Sequence, residues 1–144
     1  MIREAVDTSV VVAALLGWHE NHPAARAALD RGLAAGRAIL PAPVLVEAYS
    51  VMTRLPAPHR ISSGDAAALL GDTFRGVPVI ALEPKEIWTL IAWLDERNVT
   101  GGRAYDGHIL ACAKKAQAAR LLTLNAKDFL AFDSAGIEIV RPGE

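Results

Sequence analysis

The sequence has little cysteine, and it has no long hydrophobic run. One cysteine among 144 residues, Cys112, excludes an internal disulfide and a zinc site built from cysteines. The longest apolar run, residues 10–18, is shorter than the roughly 20 residues that span a bilayer. The opening residues, MIREAVD, lack the cationic start and cleavage site of a secretory signal. We therefore expect a cytoplasmic protein that does not associate with membranes.

The chain also lacks a charge excess of either sign. It carries 15 Lys and Arg residues against 16 Asp and Glu residues, a formal net charge of −1. No overall basic character therefore points to a nucleic-acid partner, although an acidic pocket bordered by arginines is compatible with this total. A length of 144 residues with 52% hydrophobic residues predicts one domain, residues 1–144, with a sizeable buried core.

Short apolar strands alternate with helices along the chain. Strands are predicted at residues 3–7, 37–41, 77–82, 120–125 and 137–140. Helices are predicted at residues 8–17, 22–36, 43–55, 62–76, 83–98 and 105–116, with a short helix or turn at 126–132. This alternation predicts an α/β fold in which helices cover both faces of a central, mostly parallel sheet of four or five short strands. In such folds the ligand crevice lies beyond the carboxyl ends of the strands.

Three acidic residues stand where this crevice is expected. Asp7 ends the first strand, and Asp106 lies in the first turn of the helix at 105–116. Glu47 falls within, or at the edge of, the apolar stripe of the helix at 43–55. Each has a plainer explanation, because Asp7 and Asp106 are suitable helix caps, and Glu47 could pair with a buried arginine or reach the surface.

Further polar residues accompany these acids. Asn125 follows the fourth strand and is either part of the crevice or a turn and cap residue. Asp128 either faces the crevice or is a surface acid, and Arg103 either meets a phosphate or is solvated. Three carboxylates and an amide suit Mg²⁺ or Mn²⁺, which prefer oxygen ligands and bind together with substrate phosphates. Such a metal could activate a water for attack on phosphorus.

Four segments of the chain carry a family resemblance. They are VDTSVVVAALL, PAPVLVEAYSVMTRL, AYDGHILACAKK and LLTLNAKDF, in that order between residues 6 and 129. On these segments the chain resembles PIN-domain proteins, and it is most similar to the VapC toxins of bacterial type II toxin–antitoxin systems. The resemblance implies a PIN-like three-layer α/β/α fold. It also implies an endoribonuclease, dependent on Mg²⁺ or Mn²⁺, that hydrolyses RNA phosphodiesters by a metal-activated water and leaves 5′-phosphate and 3′-hydroxyl ends.

The resemblance further implies partners and site residues. A VapB-like antitoxin would inhibit the enzyme, and the chain would form a homodimer. The implied catalytic residues and metal ligands are Asp7, Glu47 and Asp106. Thr8 or Ser9 would support the first acid, and Thr123 would support the last part of the site.

Asn125 departs from the pattern of the family. Many members carry a fourth acid at this position, and an amide contributes no negative charge, so we expect one firm metal site. Asp128 could compensate from a shifted position. The departure keeps a second hypothesis open, a PIN domain without turnover that binds RNA or a protein. A third, an aspartyl-phosphate protein with Asp7 as nucleophile, ranks below both because the companion acids of such proteins are lacking.

The helix predicted at 83–98 is unusually apolar for a single helix. Its segment EIWTLIAWL suits a homodimer interface or a groove for an antitoxin, which the resemblance also implies. The alternative is that this helix is deeply buried within the chain.

Overall fold

A computed structural model describes residues 2–132, 134 and 136–144, and within them the chain forms five strands and seven helices. The strands are β1 (Glu4–Val6), β2 (Ala38–Pro41), β3 (Val79–Ile80), β4 (Arg120–Leu122) and β5 (Glu138–Val140). The helices are α1 (Thr8–Leu15), α2 (His22–Ala34), α3 (Ala42–Thr53), α4 (Ser63–Phe74), α5 (Pro84–Glu96), α6 (Arg103–Lys115) and α7 (Ala126–Leu130).

The strands form one parallel sheet in the order β3-β2-β1-β4-β5. β1 is central, with Ala5 paired to Ile39 of β2 and to Leu121 of β4. All three residues are almost completely buried, as expected for strands covered by helices on both faces. The predicted three-layer α/β/α fold with a mostly parallel sheet of short strands is therefore confirmed.

The strand order places a topological switch point between β1 and β4. From β1 the chain adds β2 and then β3 on one side, and afterwards β4 and β5 on the other. Connections that leave neighbouring strands in opposite directions open a crevice at their carboxyl ends. Asp7 directly follows β1 and Thr123 directly follows β4, so both lie at this crevice.

The start of α6 differs from the prediction. The helix begins at Arg103 with Gly102 at its N-cap position, so Arg103 and Ala104 belong to the helix and not to the preceding turn. The tight turn before α6 contains Gly101, whose φ of +63° favours a residue without a side chain. Asp106 therefore lies in the first turn of α6, four residues after Gly102, and is not its cap.

The amino end of β1 carries a paired buried acid. The Glu4 carboxylate contacts Arg37 Nε at 3.3 Å and Arg120 Nη1 at 2.9 Å. Arg120 also reaches the exposed Glu138, at 3.3 Å. Two arginines thus neutralise this carboxylate at the amino ends of the strands, on the side of the sheet away from the crevice.

Helix α5 keeps much of its apolar surface in contact with solvent. Leu90 and Leu94 are buried, whereas Trp88 is 74% exposed and Ile91 is 51% exposed. The alternative of a deeply buried helix is therefore wrong, because only one side of α5 packs against the chain. None of the helices in the described part of the chain has the length and apolarity needed to cross a bilayer.

Candidate active site

Asp7 lies at the carboxyl end of the central strand, β1. Its backbone N–H donates to the carbonyl of Leu122 at 2.9 Å, which continues the pairing of β1 with β4. It occupies the N-cap position of α1, yet its side chain forms no capping hydrogen bond. The residue is nevertheless buried, with an exposed fraction of 3%. The backbone N–H groups of Thr8 and Ser9, at the start of α1, still lower the pKa of this carboxyl.

Two hydroxyl groups fix the orientation of the Asp7 carboxylate. Ser9 Oγ donates to Asp7 Oδ2 at 2.7 Å, and Thr123 Oγ1 donates to the same oxygen at 2.8 Å. Each hydroxyl in turn accepts a backbone N–H, Ser9 from Leu124 and Thr123 from Asn125, both at 2.9 Å. Burial raises the pKa of Asp7, and the two hydroxyls oppose that rise. Ser9, one of the two residues expected to support the first acid, contacts it directly, whereas Thr123, expected to support the last part of the site, also contacts Asp7.

Glu47 approaches the same region from α3. It is half-buried, at the edge of a stripe formed by Val44, Ala48 and Met52. No Lys, Arg or His nitrogen in the described part of the chain lies within 4 Å of its carboxylate, so the alternative of a buried ion pair is wrong. Burial raises the pKa of Glu47, and the charge of Asp7 adds to the rise.

The Thr8 hydroxyl is an unusual feature beside Glu47. Thr8 is buried, and within the described residues its Oγ1 has no hydrogen-bond partner at ordinary distance. It is still near enough to the Glu47 carboxyl to lower the pKa of that group. Because buried hydroxyls are nearly always satisfied, this atom indicates a polar group that completes the site.

Asp106 supplies the third carboxylate from the first turn of α6. Its pKa is raised to about 6, first by burial and then by the negative charges of Asp7, Asp128 and Glu47. The charge of Arg103 opposes the rise. Asp7 raises the pKa values of both other acids and Glu47 raises that of Asp106, while the charges of Arg54 and Arg103 oppose part of the rise. Such a group of neighbouring carboxylates favours a bound positive ion.

One cavity of about 400 Å³ is lined by all three acids. Thr8, Ser9 and Asn125 also line it, so six of the nine predicted site residues border a common space. Asn125 is exposed and forms no side-chain cap for α7.

The other three predicted residues, Thr123, Arg103 and Asp128, are not among the residues that line this cavity. The guanidinium of Arg103 stacks on the ring of Phe132, 4.8 Å from its centroid. Asp128 is exposed on α7 and acts on Asp106 through its charge. A phosphate contact of Arg103 and a compensating role of Asp128 both stay predictions.

Four polar residues of the cavity wall were missed from the sequence: His19, Glu20, Asn21 and Arg141. The first three form the turn between α1 and α2, whose path no pattern of residues indicates. Arg141 directly follows β5, and the rule that ligands bind at carboxyl ends of strands was a signal for it. His19 Nδ1 accepts the Asn21 backbone N–H at 3.0 Å, so a neutral His19 ring carries its proton on Nε2.

The donor set fits a hard divalent cation, although the acids do not converge on one point. In the described part of the chain, no three Asp, Glu, His or Cys side chains are close enough to ligate one ion directly. Mg²⁺ commonly keeps several waters and takes only one or two carboxylates directly. The three acids around one cavity and the unsatisfied Thr8 hydroxyl are compatible with that kind of site.

Comparison with known proteins places this arrangement in context. The family model described as PIN domain matches residues 5–134. Ribonuclease VapC40 of Mycobacterium tuberculosis is 39% identical over 135 residues, which cover 94% of this chain and 96% of the relative. Ribonuclease VapC27 of the same species is 33% identical over 136 residues, with 94% of each chain covered.

Solved structures share the fold at lower identity. VapC20 of Mycobacterium tuberculosis, described as a sarcin-ricin loop cleaving toxin, matches with a TM-score of 0.69 at 18% identity, covering 89% of this chain and 94% of that one. DNA-bound VapBC from Salmonella typhimurium matches with a TM-score of 0.67 at 17% identity, covering 98% of both chains. At these identities the likeness supports the architecture of the chain.

Proposed function

This chain belongs to the PIN-domain family, and on that premise we propose that it is an endoribonuclease of the VapC toxin type. The observation that carries the proposal is the set of three carboxylates, Asp7, Glu47 and Asp106, around one cavity at the switch point of the sheet. The relatives VapC40 and VapC27 are named ribonucleases. An RNA phosphodiester is an anion, so it can approach such a site only together with a cation.

We propose Mg²⁺ or Mn²⁺ as that cation, held by Asp7, Glu47 and Asp106 directly or through waters. The hydroxyls of Ser9 and Thr123 both bind Oδ2 of Asp7, so the carboxylate is held in one orientation in the wall of the cavity. The Thr8 hydroxyl would gain a hydrogen-bond partner among the waters bound to this ion. Three carboxylates suit one divalent cation better than they suit two cations, because Asn125 adds an oxygen ligand but no negative charge.

The proposed reaction is hydrolysis of an RNA phosphodiester that leaves 5′-phosphate and 3′-hydroxyl ends. The cation supplies Lewis-acid stabilisation of the charge on the phosphoryl oxygens and makes a water more acidic. The chain itself orients the acids, and Arg141 brings a positive charge to the cavity wall. His19, whose Nδ1 accepts a backbone N–H, has its Nε2–H as a donor for a phosphate oxygen.

The proposed partners follow from the exposed side of α5 and from the comparisons. Trp88 and Ile91 form an apolar surface of the kind that protein partners cover. The Salmonella structure is a VapBC complex, and we propose a VapB-like antitoxin as inhibitor of this chain and a homodimer as its assembly. An RNA target also implies that the protein acts in the cytoplasm.

A second candidate function is a PIN domain that binds RNA without turnover. Asn125 favours it, because this residue lines the cavity where another acid would strengthen metal binding. Binding of RNA without cleavage at any Mg²⁺ or Mn²⁺ concentration would support this alternative.

The test is RNA cleavage by the purified chain, with total transfer and ribosomal RNA as substrates. We expect cleavage with Mg²⁺ or Mn²⁺, none in chelator, and recovery when the metal is restored. End-labelling of the fragments would identify the 5′-phosphate. Cleavage that continues in chelator contradicts the metal-dependent proposal.

Replacing Thr123 with Val should weaken the enzyme without removing an acid. The substitution keeps the shape of the side chain but removes the donor to Asp7 and the acceptor for Asn125 N–H. We expect roughly 10- to 100-fold weaker metal affinity, the usual effect of losing a group that orients a ligand. Calorimetric titration with Mn²⁺ would measure it.

Thr123→Ser is the matched control, because it retains the hydroxyl. We expect the Ser variant to bind Mn²⁺ within a fewfold of the unmodified chain. Equal affinities for the Val and Ser variants would show that this hydroxyl does not orient Asp7.

A further inference from the structure

A second cleft adjoins the site cavity on the side of α3 and α6. This α3–α6 cleft has a volume of about 590 Å³, within the range of small-ligand sites. Its wall combines residues from α3, the following Arg54, and the start of α6. Glu47 and Asp106 line both the cleft and the site cavity. The two spaces are therefore adjacent, with these carboxylates in the wall of both.

The cleft presents an exposed aromatic and aliphatic surface. Tyr105, directly before Asp106, is 65% exposed, and Val46, directly before Glu47, is 72% exposed. His108 also lines this cleft. A flat aromatic ring beside an apolar side chain is the surface on which unstacked nucleobases bind.

Arg54 adds a positive charge to this cleft. Its guanidinium donates to Ser50 Oγ at 2.8 Å, and in the described part of the chain no carboxylate lies within 4 Å of it. Arg54 lines the same cleft as Glu47 and Asp106. An arginine without an acidic partner next to a nuclease site is suited to a phosphate group.

From these observations we propose that the α3–α6 cleft binds the single-stranded RNA next to the scissile phosphate. Tyr105 stacks on a nucleobase, and Arg54 contacts the phosphate that joins this nucleotide to the cleaved bond. Single-stranded RNA fits because a base in a duplex presents its edge and not its face. This inference rests on the proposed nuclease function and adds a substrate-binding subsite to it.

The test begins with RNA binding by variants of the full chain. The probe is a fluorescein-labelled ten-nucleotide single-stranded RNA of mixed sequence, with Asp7→Asn in every protein so that the probe is not cut. We expect Tyr105→Ala to weaken binding about tenfold, as loss of one stacked base does. Tyr105→Phe should bind as tightly as the parent. Arg54→Ala should reduce the slope of log affinity against log salt by about one.

Cleavage kinetics supply a second readout in chains that retain Asp7. We expect Tyr105→Ala to raise KM for a cleaved single-stranded RNA about tenfold and to change kcat much less. Tyr49→Ala is the matched control, since Tyr49 is an exposed aromatic residue of α3 that lines neither the site cavity nor the α3–α6 cleft. It should leave KM unchanged. A twelve-base-pair RNA duplex should bind equally to the parent and to Tyr105→Ala.

The outcomes separate this inference from the proposed function. If no RNA is bound or cleaved by the unmodified chain, the proposed function fails and the inference fails with it. If RNA is cleaved but Tyr105→Ala changes neither KM nor probe affinity, only the inference is wrong. It is also wrong if Tyr105→Ala dissociates a dimer in light scattering while probe binding is retained, because the cleft is then an interface between copies.

Discussion

Asp7→Asn is expected to abolish metal-dependent RNA cleavage, with a loss on the order of 10³-fold or more, as for groups that stabilise charge in the transition state. The same change should raise the Tm of the metal-free protein. Burial raises the pKa of Asp7, so the ionised carboxylate destabilises the fold at neutral pH. A neutral amide can accept the hydroxyls of Ser9 and Thr123 without that penalty. We expect a rise of at least about 2 °C for a chain of this size.

Mg²⁺ should reverse this order of stability. A ligand that binds only the folded chain stabilises it by an amount that grows with the ratio of its concentration to Kd. The unmodified chain should therefore gain Tm with Mg²⁺, and the Asp7→Asn variant should gain little. Asp72→Asn, which changes an exposed acid on α4, is the control and should behave like the unmodified chain. A lower Tm for metal-free Asp7→Asn would contradict the prediction.

Metal affinity is expected to fall as the pH is lowered through about 6. The pKa of Asp106 is raised to about 6 and those of Asp7 and Glu47 are raised as well. Each acid must be ionised to bind the cation, so protons compete with it. Below pH 6 we expect roughly a tenfold loss of affinity per pH unit for each group that titrates. Calorimetric titration with Mn²⁺ at several pH values would measure the loss.

The metal-free protein should show the opposite pH dependence. An acid whose pKa is raised on folding stabilises the fold below its unfolded pKa, and this contribution is lost as the pH rises through the folded pKa. For Asp106 that window runs from its ordinary value of 3.8 to about 6. Asp106→Asn should therefore stabilise the metal-free chain above pH 6, by about 1 kcal/mol after allowance for solvent screening.

The Asp128→Asn variant tests how a nearby charge affects metal affinity without removing a proposed metal ligand. Asp128 raises the pKa of Asp106 from an exposed position on α7. Its removal should shift the fall in affinity to lower pH while metal binding at pH 8 is retained. An affinity independent of pH between about 5 and 7 would contradict the assignment of Asp106.

The sequence predicted the parts of the fold that periodicity and strand ends determine. Asp7 was placed correctly because β1 is a short, fully buried strand followed at once by α1. The start of α6 was predicted two residues late, since Asp106 looked like a cap while Gly102 occupies that position. Glycine carries no side-chain signal, so the geometry of the turn decides where such a helix begins.

Other features of the site depend on tertiary structure alone. His19 lines the cavity because the turn after α1 folds back over it, and nothing in the segment around His19 indicates that path. The apolar pattern of α5 is the same whether its outer side is buried or exposed, so Trp88 could not be assigned from the pattern. The unsatisfied Thr8 hydroxyl likewise becomes visible only once its neighbours are in place.

Two buried acids flank β1, Glu4 at its start and Asp7 directly after its end. The first contributes to stability and the second to the proposed activity. Glu4 and Asp7 are separated by roughly 10 Å of extended chain, and only Glu4 is balanced by arginines. Removing Glu4 takes away the ion pair of Arg37 and leaves Arg120 with only the exposed Glu138, so it should reduce the amount of folded protein. Removing Asp7 should spare folding. A library sorted once for protein abundance and once for cell killing would therefore distinguish the two ends. Variants that are abundant but harmless would cluster at the carboxyl end of β1.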